Sequence, residues 1–321
     1  MASERGGMTA IVLTCCALGA ITVGTTLTLS RDRLPFSGAA RSSAPDFATE
    51  EYGRRLIAQT SELLGPDVAD PNMRISGSRL NCASCHLGTG TEPGTLTFLQ
   101  ATEHFPRFSA RAGVKTDVED RVNECMTRSM NGRALPRTSP EMIAMATYIR
   151  SLGGLNQAMG AAQRKAHEPA AFKTPNRAAS PVAGKRVFEE HCAACHGANG
   201  LGLRASSDPK RGYVFPPLWG PDTFNDGAGM HRVLTAARFI KARMPLGQPD
   251  LNDDQAFDVA AYINSQPRPE MANLDQDYPD RSAKPADNGY GPFADSFPLN
   301  QHRYGPFGPI EAYYKKKKSA K

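Results

Sequence analysis

Apolar positions fall at helical spacing in four separate stretches of the chain. Tyr52, Leu56, Ile57, Leu63 and Leu64 predict a helix from Glu50 to Leu64, stopped by Gly65-Pro66. Met142, Ile143, Met145, Ala146, Tyr148 and Ile149 predict a second, which starts at Ser139-Pro140 and ends at Gly153-Gly154. Two more run from about Val182 to Cys192 and from Asp253 to Ser265, with Pro267 as the stop and a long irregular Gly/Pro stretch between them. One plan is therefore written twice: a helix leads into a Cys/His cluster, a loop of some tens of residues follows, and an amphipathic helix closes the unit. This predicts an all-α chain with two tandem units, 48–155 and 181–267. Residues 156–180, rich in Ala, Lys and Pro, read as a surface linker. Residues 268–321, rich in Pro, Gly and Tyr, read as an extended C-terminal arm ending in a disordered Lys tail.

Ahead of the first unit, Met8 to Leu29 is uncharged and long enough to cross a bilayer, behind a short segment carrying Arg5. Residues 1–33 thus read as an export signal or a retained N-terminal anchor, and 34–47 as a small, Pro-containing linker. No A-x-A site follows directly; Ser37-Gly38-Ala39 lies well downstream, and Thr14 before Cys15 makes Cys15 and Cys16 a poor lipobox. The expected location is the periplasm, soluble or tethered by the N-terminal segment.

Composition adds a constraint on stability. The chain has 321 residues but only 7% aromatics and a single Trp, so two domains of roughly 100 residues each are marginal unless another group is buried in them. The net charge of +6 is not spread over a folded face. Residues 1–33 carry +1, Lys315 to Lys318 with Lys321 carry +5, and the body between is neutral. That distribution argues against a nucleic-acid partner.

The buried group is indicated by two motifs. Cys82-Ala83-Ser84-Cys85-His86 and Cys192-Ala193-Ala194-Cys195-His196 are both C-x-x-C-H. On a helical turn this spacing sets both thiols on one side, where they form thioethers with the two vinyl groups of a haem, while the adjacent imidazole becomes the proximal ligand. A zinc knuckle would need four ligands from nearby segments, and a redox dithiol would not come twice with His. Two covalently bound c-type haems, each at the centre of a cytochrome c-like domain, are the expected cofactors.

The sixth ligand decides whether a haem carries electrons or does chemistry. In the second unit Met244, followed by Pro245, lies where a small cytochrome c places its distal Met; Met230 and His231 are rivals in the same loop. In the first unit Cys125 is the cysteine left once the thioether pairs and Cys15 and Cys16 are set aside. A lone thiol in an exported protein needs protection, which iron would give. The bland alternative is an inert buried Cys125 with Met126 or Met130 as ligand. Arg107, Arg111, Arg121, Arg128 and Arg133 lie around it. Singly each is expected on a solvated surface, but clustered beside a thiolate they suggest a pocket for a small divalent oxyanion.

These residues resemble a known family, the di-haem thiosulfate dehydrogenases that couple two thiosulfates into tetrathionate. The matching stretches are Arg79–Gly88, Asn123–Gly132, Phe215–Gly220, Phe224–Met230, Met244–Gly247 and Gln301–Phe307. The resemblance covers nearly everything from about residue 48 to 311. It implies that His86 and Cys125 are axial ligands of a catalytic haem, that His196 and Met244 hold an electron-transfer haem, and that Arg111, Arg121 and Ser129 line the substrate pocket. Some relatives carry a Lys directly before the second-haem Met and exchange ligands with redox state. Here Arg243 stands in that place, with Lys241 further back. The implied partners are thiosulfate or tetrathionate and a periplasmic or membrane electron acceptor, such as a small cytochrome or a high-potential iron-sulfur protein. The rival readings are a plain di-haem electron-transfer subunit, a relative of the haem proteins that load thiosulfate onto a carrier, and a tetrathionate reductase.

Overall fold

The computed structural model describes residues 49–319 apart from 93, 95, 167, 169 and 170. The export segment with Cys15 and Cys16, and the 34–47 linker, lie outside the described residues. Helices in chain order are α1 (Glu50–Ala58), α2 (Thr60–Leu64), α3 (Ala101–His104), α4 (Val118–Glu124), α5 (Pro140–Ala158) and α6 (Ala161–Ala166). They continue as α7 (Pro181–His191), α8 (Ala193–His196), α9 (Val233–Arg243), α10 (Asp253–Ser265), α11 (Leu299–Tyr304) and α12 (Gly308–Ser319). Two small antiparallel ribbons, β1 (Arg107–Ser109) with β2 (Val114–Thr116) and β3 (Leu203–Arg204) with β4 (Tyr213–Phe215), complete an all-α architecture. Among the described residues no helix is long and apolar enough to cross a membrane.

Local chemistry sets the helix starts. Thr49 caps α1 by accepting the Tyr52 N–H at 3.1 Å. Ser139 and Ser180 cap α5 and α7, each with a Pro in the first turn, and Asn252 with Gln255 forms a capping box on α10.

The two halves use one crossing. In the first, α1 packs on α5 at Gly53, where a Cβ would stand 2.0 Å from the Ala144 carbonyl oxygen and 2.9 Å from the Tyr148 Cβ. In the second, α7 packs on α10 at Gly184, where a Cβ would stand 1.9 Å from the Asp258 carbonyl oxygen and 2.9 Å from the Tyr262 Cβ. Backbone approaches this close admit only glycine.

Four expectations change. The first helix is two, broken at Gln59, which lets the Thr60 hydroxyl bond back to the Leu56 carbonyl and accept the Cys82 N–H. Helix α5 runs on to Ala158 through Gly153, because that glycine makes room for Thr102 of α3, whose Oγ1 would be 2.1 Å from a Cβ. The irregular stretch of the second half contains α9, which buries Val233, Leu234, Ala236, Ala237, Phe239 and Ile240. Finally, the arm carries α11 and α12. Phe307 and Ile310 are buried, and Lys315–Lys318 sit on the helix they start rather than in a disordered tail.

Candidate functional site

The first C-x-x-C-H segment is held by α2. Asn81 Oδ1 accepts the Ser61 N–H at 2.9 Å and Thr60 Oγ1 accepts the Cys82 N–H at 3.1 Å. The His86 Nδ1 lies 2.7 Å from the Leu96 carbonyl oxygen. A carbonyl only accepts, so Nδ1 carries the proton and Nε2 is left with its lone pair. Phe98 stacks on the ring with centroids 4.2 Å apart. Burial pushes the imidazole down to about 4 and the Cys82 and Cys85 thiols up to about 11 and about 12, so all three are neutral near pH 7.

A cavity of about 430 Å³ opens in front of these groups. Cys82, Cys85, His86 and Cys125 all line it, and much of its wall is apolar, including Ile57, Leu80, Val118, Val122, Met145 and Ile149. Cys125 starts a π-helical turn, Cys125–Ser129, in which the Met130 N–H bonds to the Cys125 carbonyl at 2.9 Å. Such turns are rare and frequent at functional sites. Met126 and Met130, the rival ligands, line the same cavity but are sunk in the core at 1% and 3% exposure.

The five arginines separate. Arg107 and Arg121 line the cavity together with Ser129. Arg121 pairs with Glu124 at 2.8 Å, and its guanidinium pKa is raised, chiefly by the nearby Cys125 sulfur in its thiolate form; Arg111 acts on it in the opposite sense. Arg111 itself is not part of the wall. It projects from the turn joining β1 to β2, its Nε buried and without a hydrogen-bond partner. Burial opposes its charge, but the Tyr278 and Tyr290 phenols outweigh that and its pKa is raised. Arg128 is spent on a bidentate pair with Asp277, at 2.7 and 2.9 Å, and Arg133 on the Arg74 and Asn72 carbonyls.

Part of the cavity wall comes from the second half of the chain. Phe224, Gly229, Met230 and Thr235 line it. The loop carrying the first three is bolted to the π-turn: Asn225 donates from Nδ2 to the Thr127 carbonyl at 2.9 Å and to Asn131 Oδ1 at 3.1 Å, and its N–H donates to the Arg128 carbonyl at 3.1 Å. The available signal was the stretch Phe224–Met230, whose matching residues had no assigned role.

In the second half, His196 repeats the arrangement of His86, with Nδ1 2.8 Å from the Pro216 carbonyl oxygen. Cys192 is half-buried against the second core and Cys195 is exposed. Met244 caps the C-terminus of α9 and packs against the same core. Of its rivals, Met230 faces the first cavity, and both ring nitrogens of His231 lie at carbonyl oxygens, those of Asp226 and Asn264. Lys241 donates to the Leu251 carbonyl at 2.5 Å, and Arg243 pairs with Glu92 at 3.9 Å.

Both donor sets fit a haem: two thiols and a His whose second nitrogen is committed to a carbonyl, in the first half facing a largely apolar cavity. Fold and sites together define a tandem cytochrome c oxidoreductase. Residues 75–154 match the family model "SoxA/TsdA, cytochrome c domain" and residues 181–267 match "Cytochrome c". The thiosulfate dehydrogenase of Allochromatium vinosum is 39% identical over 238 residues, which is 72% of this chain and 83% of that protein. The thiosulfate dehydrogenase of Psychrobacter arcticus is 40% identical over 64% of this chain and 62% of its own length. Among solved structures, the thiosulfate dehydrogenase (TsdBA) from Marichromatium purpuratum superposes with a TM-score of 0.61 at 32% identity, over 77% of this chain and 50% of that one. The chain belongs to the thiosulfate dehydrogenase family.

Proposed function

We propose that this chain couples two thiosulfates into tetrathionate, 2 S₂O₃²⁻ → S₄O₆²⁻ + 2 e⁻, at the cavity that holds Cys125, and passes the electrons on through its second half. The units are 48–155 for the chemistry, 181–267 for electron transfer and 268–321 for the arm, whose Asp277 and Phe307 pack against the first and second units. Cys82 and Cys85, and Cys192 and Cys195, would bind two haems through thioethers. His86 with Cys125, and His196 with Met244, would hold the two irons. When bound, each haem accepts one electron, so the pair matches the two that the reaction releases.

The chain's own residues account for the rest. The Cys125 thiolate and the outer sulfur of one thiosulfate form an S–S bond, giving Cys–S–S–SO₃⁻ and releasing two electrons. A second thiosulfate attacks the sulfur bonded to Cys125; that S–S bond breaks, tetrathionate leaves and the thiolate is restored. Two dianions must meet head to head. Arg121 in the wall, with Arg111 in charge range of it, offsets the Coulomb repulsion by holding sulfonate ends, and Ser129 offers a hydroxyl. The export segment would place this chemistry in the periplasm, with a small cytochrome or a high-potential iron-sulfur protein as acceptor.

The observation that carries this reading is the convergence of one non-motif cysteine with both motif thiols, His86 and Arg121 on one cavity. Cys125→Gly should abolish thiosulfate oxidation while both haems stay attached. Undiminished turnover in that variant overturns the assignment, and failure of thiosulfate to reduce the anaerobic oxidised protein would leave a plain electron carrier.

A further inference from the structure

The C-terminal arm places a carboxylate in the middle of the arginine cluster. Asp277 is 8% exposed and lies 149 residues from Arg128, whose guanidinium it holds with both oxygens. The Tyr290 hydroxyl donates to its Oδ2 at 2.6 Å, and Arg281 donates to its backbone carbonyl at 2.5 Å. The same Oδ2 stands 3.9 Å from Arg111 Nε, an ion pair without a hydrogen bond. The neighbouring residue of the arm completes the hold, since the Tyr278 N–H donates to the Arg111 carbonyl at 2.8 Å.

Two consequences follow from this geometry. Arg128 belongs to the π-turn that begins at Cys125 and ends at Ser129, so the bidentate pair fixes the turn that carries both groups. Arg111 and Arg121 are like charges close enough to oppose each other, and Asp277 is the anion that holds the first of them in place.

We propose that Asp277 is the positioning residue of the thiosulfate pocket: from the arm it sets Arg111 and the Cys125 turn, and through them the binding of the substrate anion. This rests on the function proposed above. Charge alone predicts the opposite effect, because removing a carboxylate makes the pocket more positive and should tighten anion binding. The sign of the change therefore decides between positioning and simple charge.

The test is steady-state thiosulfate oxidation by the haem-loaded full chain, comparing Asp277→Asn, Asp277→Glu and Tyr290→Phe. With positioning, Asp277→Asn raises KM about tenfold or more and lowers kcat by less than about threefold. Haem content and visible spectrum stay unchanged, and Asp277→Glu recovers part of the loss. An unchanged or lower KM in Asp277→Asn overturns the proposal while leaving the role of Cys125 intact. Activity persisting in Cys125→Gly overturns the function itself. Should Asp277→Asn fail to fold, the other two variants decide: a KM raised several-fold in both supports positioning, and wild-type KM in both refutes it.

Discussion

The two halves share a helix crossing, a haem-binding motif and a histidine tied to a carbonyl, yet they are filled differently. The second core is sealed by aromatics: Phe188, Trp219 and Tyr262 meet with centroids 4.9 to 5.7 Å apart. The first core is packed by methionines, with Met126, Met130, Met142 and Met145 all buried. Aromatic clusters hold one geometry, while thioether side chains adapt to their surroundings. An aromatic core of one geometry suits the electron-transfer role proposed for the second half. The half with the methionine-rich core has Cys125, the π-turn and the arginines. The two halves thus keep one crossing and differ in what packs around it.

Breaking the shared part should give the largest effects. Gly53→Ala and Gly184→Ala each drive a methyl into a carbonyl that belongs to a helix backbone, so each should cost about 3 kcal/mol or more, at the high end of overpacking. Both should lower the thermal midpoint by similar amounts, but only Gly53→Ala should disturb the first cavity. Unequal losses would show that the crossings are not equivalent.

A smaller effect should sharpen the contrast between the halves. Asn225→Ala removes the hydrogen bonds its amide donates to Thr127 of the π-turn and to Asn131 just beyond it, a loss of about 1–3 kcal/mol. Thiosulfate kcat/KM should fall although the residue lies outside the first unit, and the spectrum of the second haem should not change. The smallest effect is expected at the exposed pair of Arg211 with Glu62, 3.4 Å apart. Arg211→Ala should shift stability by less than about 0.5 kcal/mol, and a larger shift in a denaturation curve would give this contact a role its exposure does not suggest.

How much of this was legible in the sequence follows from the range of each interaction. The haem motifs, the start of α5 at Ser139-Pro140 and the span of α10 are encoded within a few residues and are legible directly, whereas the capping side chains of Ser180 and Asn252 emerge only from the structure. Gly153 was misread as a stop because its reason, Thr102, lies on another helix. Helix α9 was hidden because Gly and Pro crowd around its apolar face, and α12 because the lysine run outweighs its anchors Phe307 and Ile310. Around Cys125 the arginines are legible in the sequence, but their division of labour is not. Arg128 is neutralised by a residue 149 positions away, and Met230, a rival ligand for the second haem, packs on the second core and also lines the first cavity. No spacing rule carries such information.

The shared wall of the first cavity has a consequence for how the chain behaves when cut. Phe224, Gly229, Met230 and Thr235 share the wall of a chamber otherwise lined by residues between 57 and 149, so hydrolysis of a peptide bond in 156–180 would not produce two independent cytochromes. The halves would stay together as a nicked complex. Expressed as separate pieces, they should regain the intact chamber only by finding each other again.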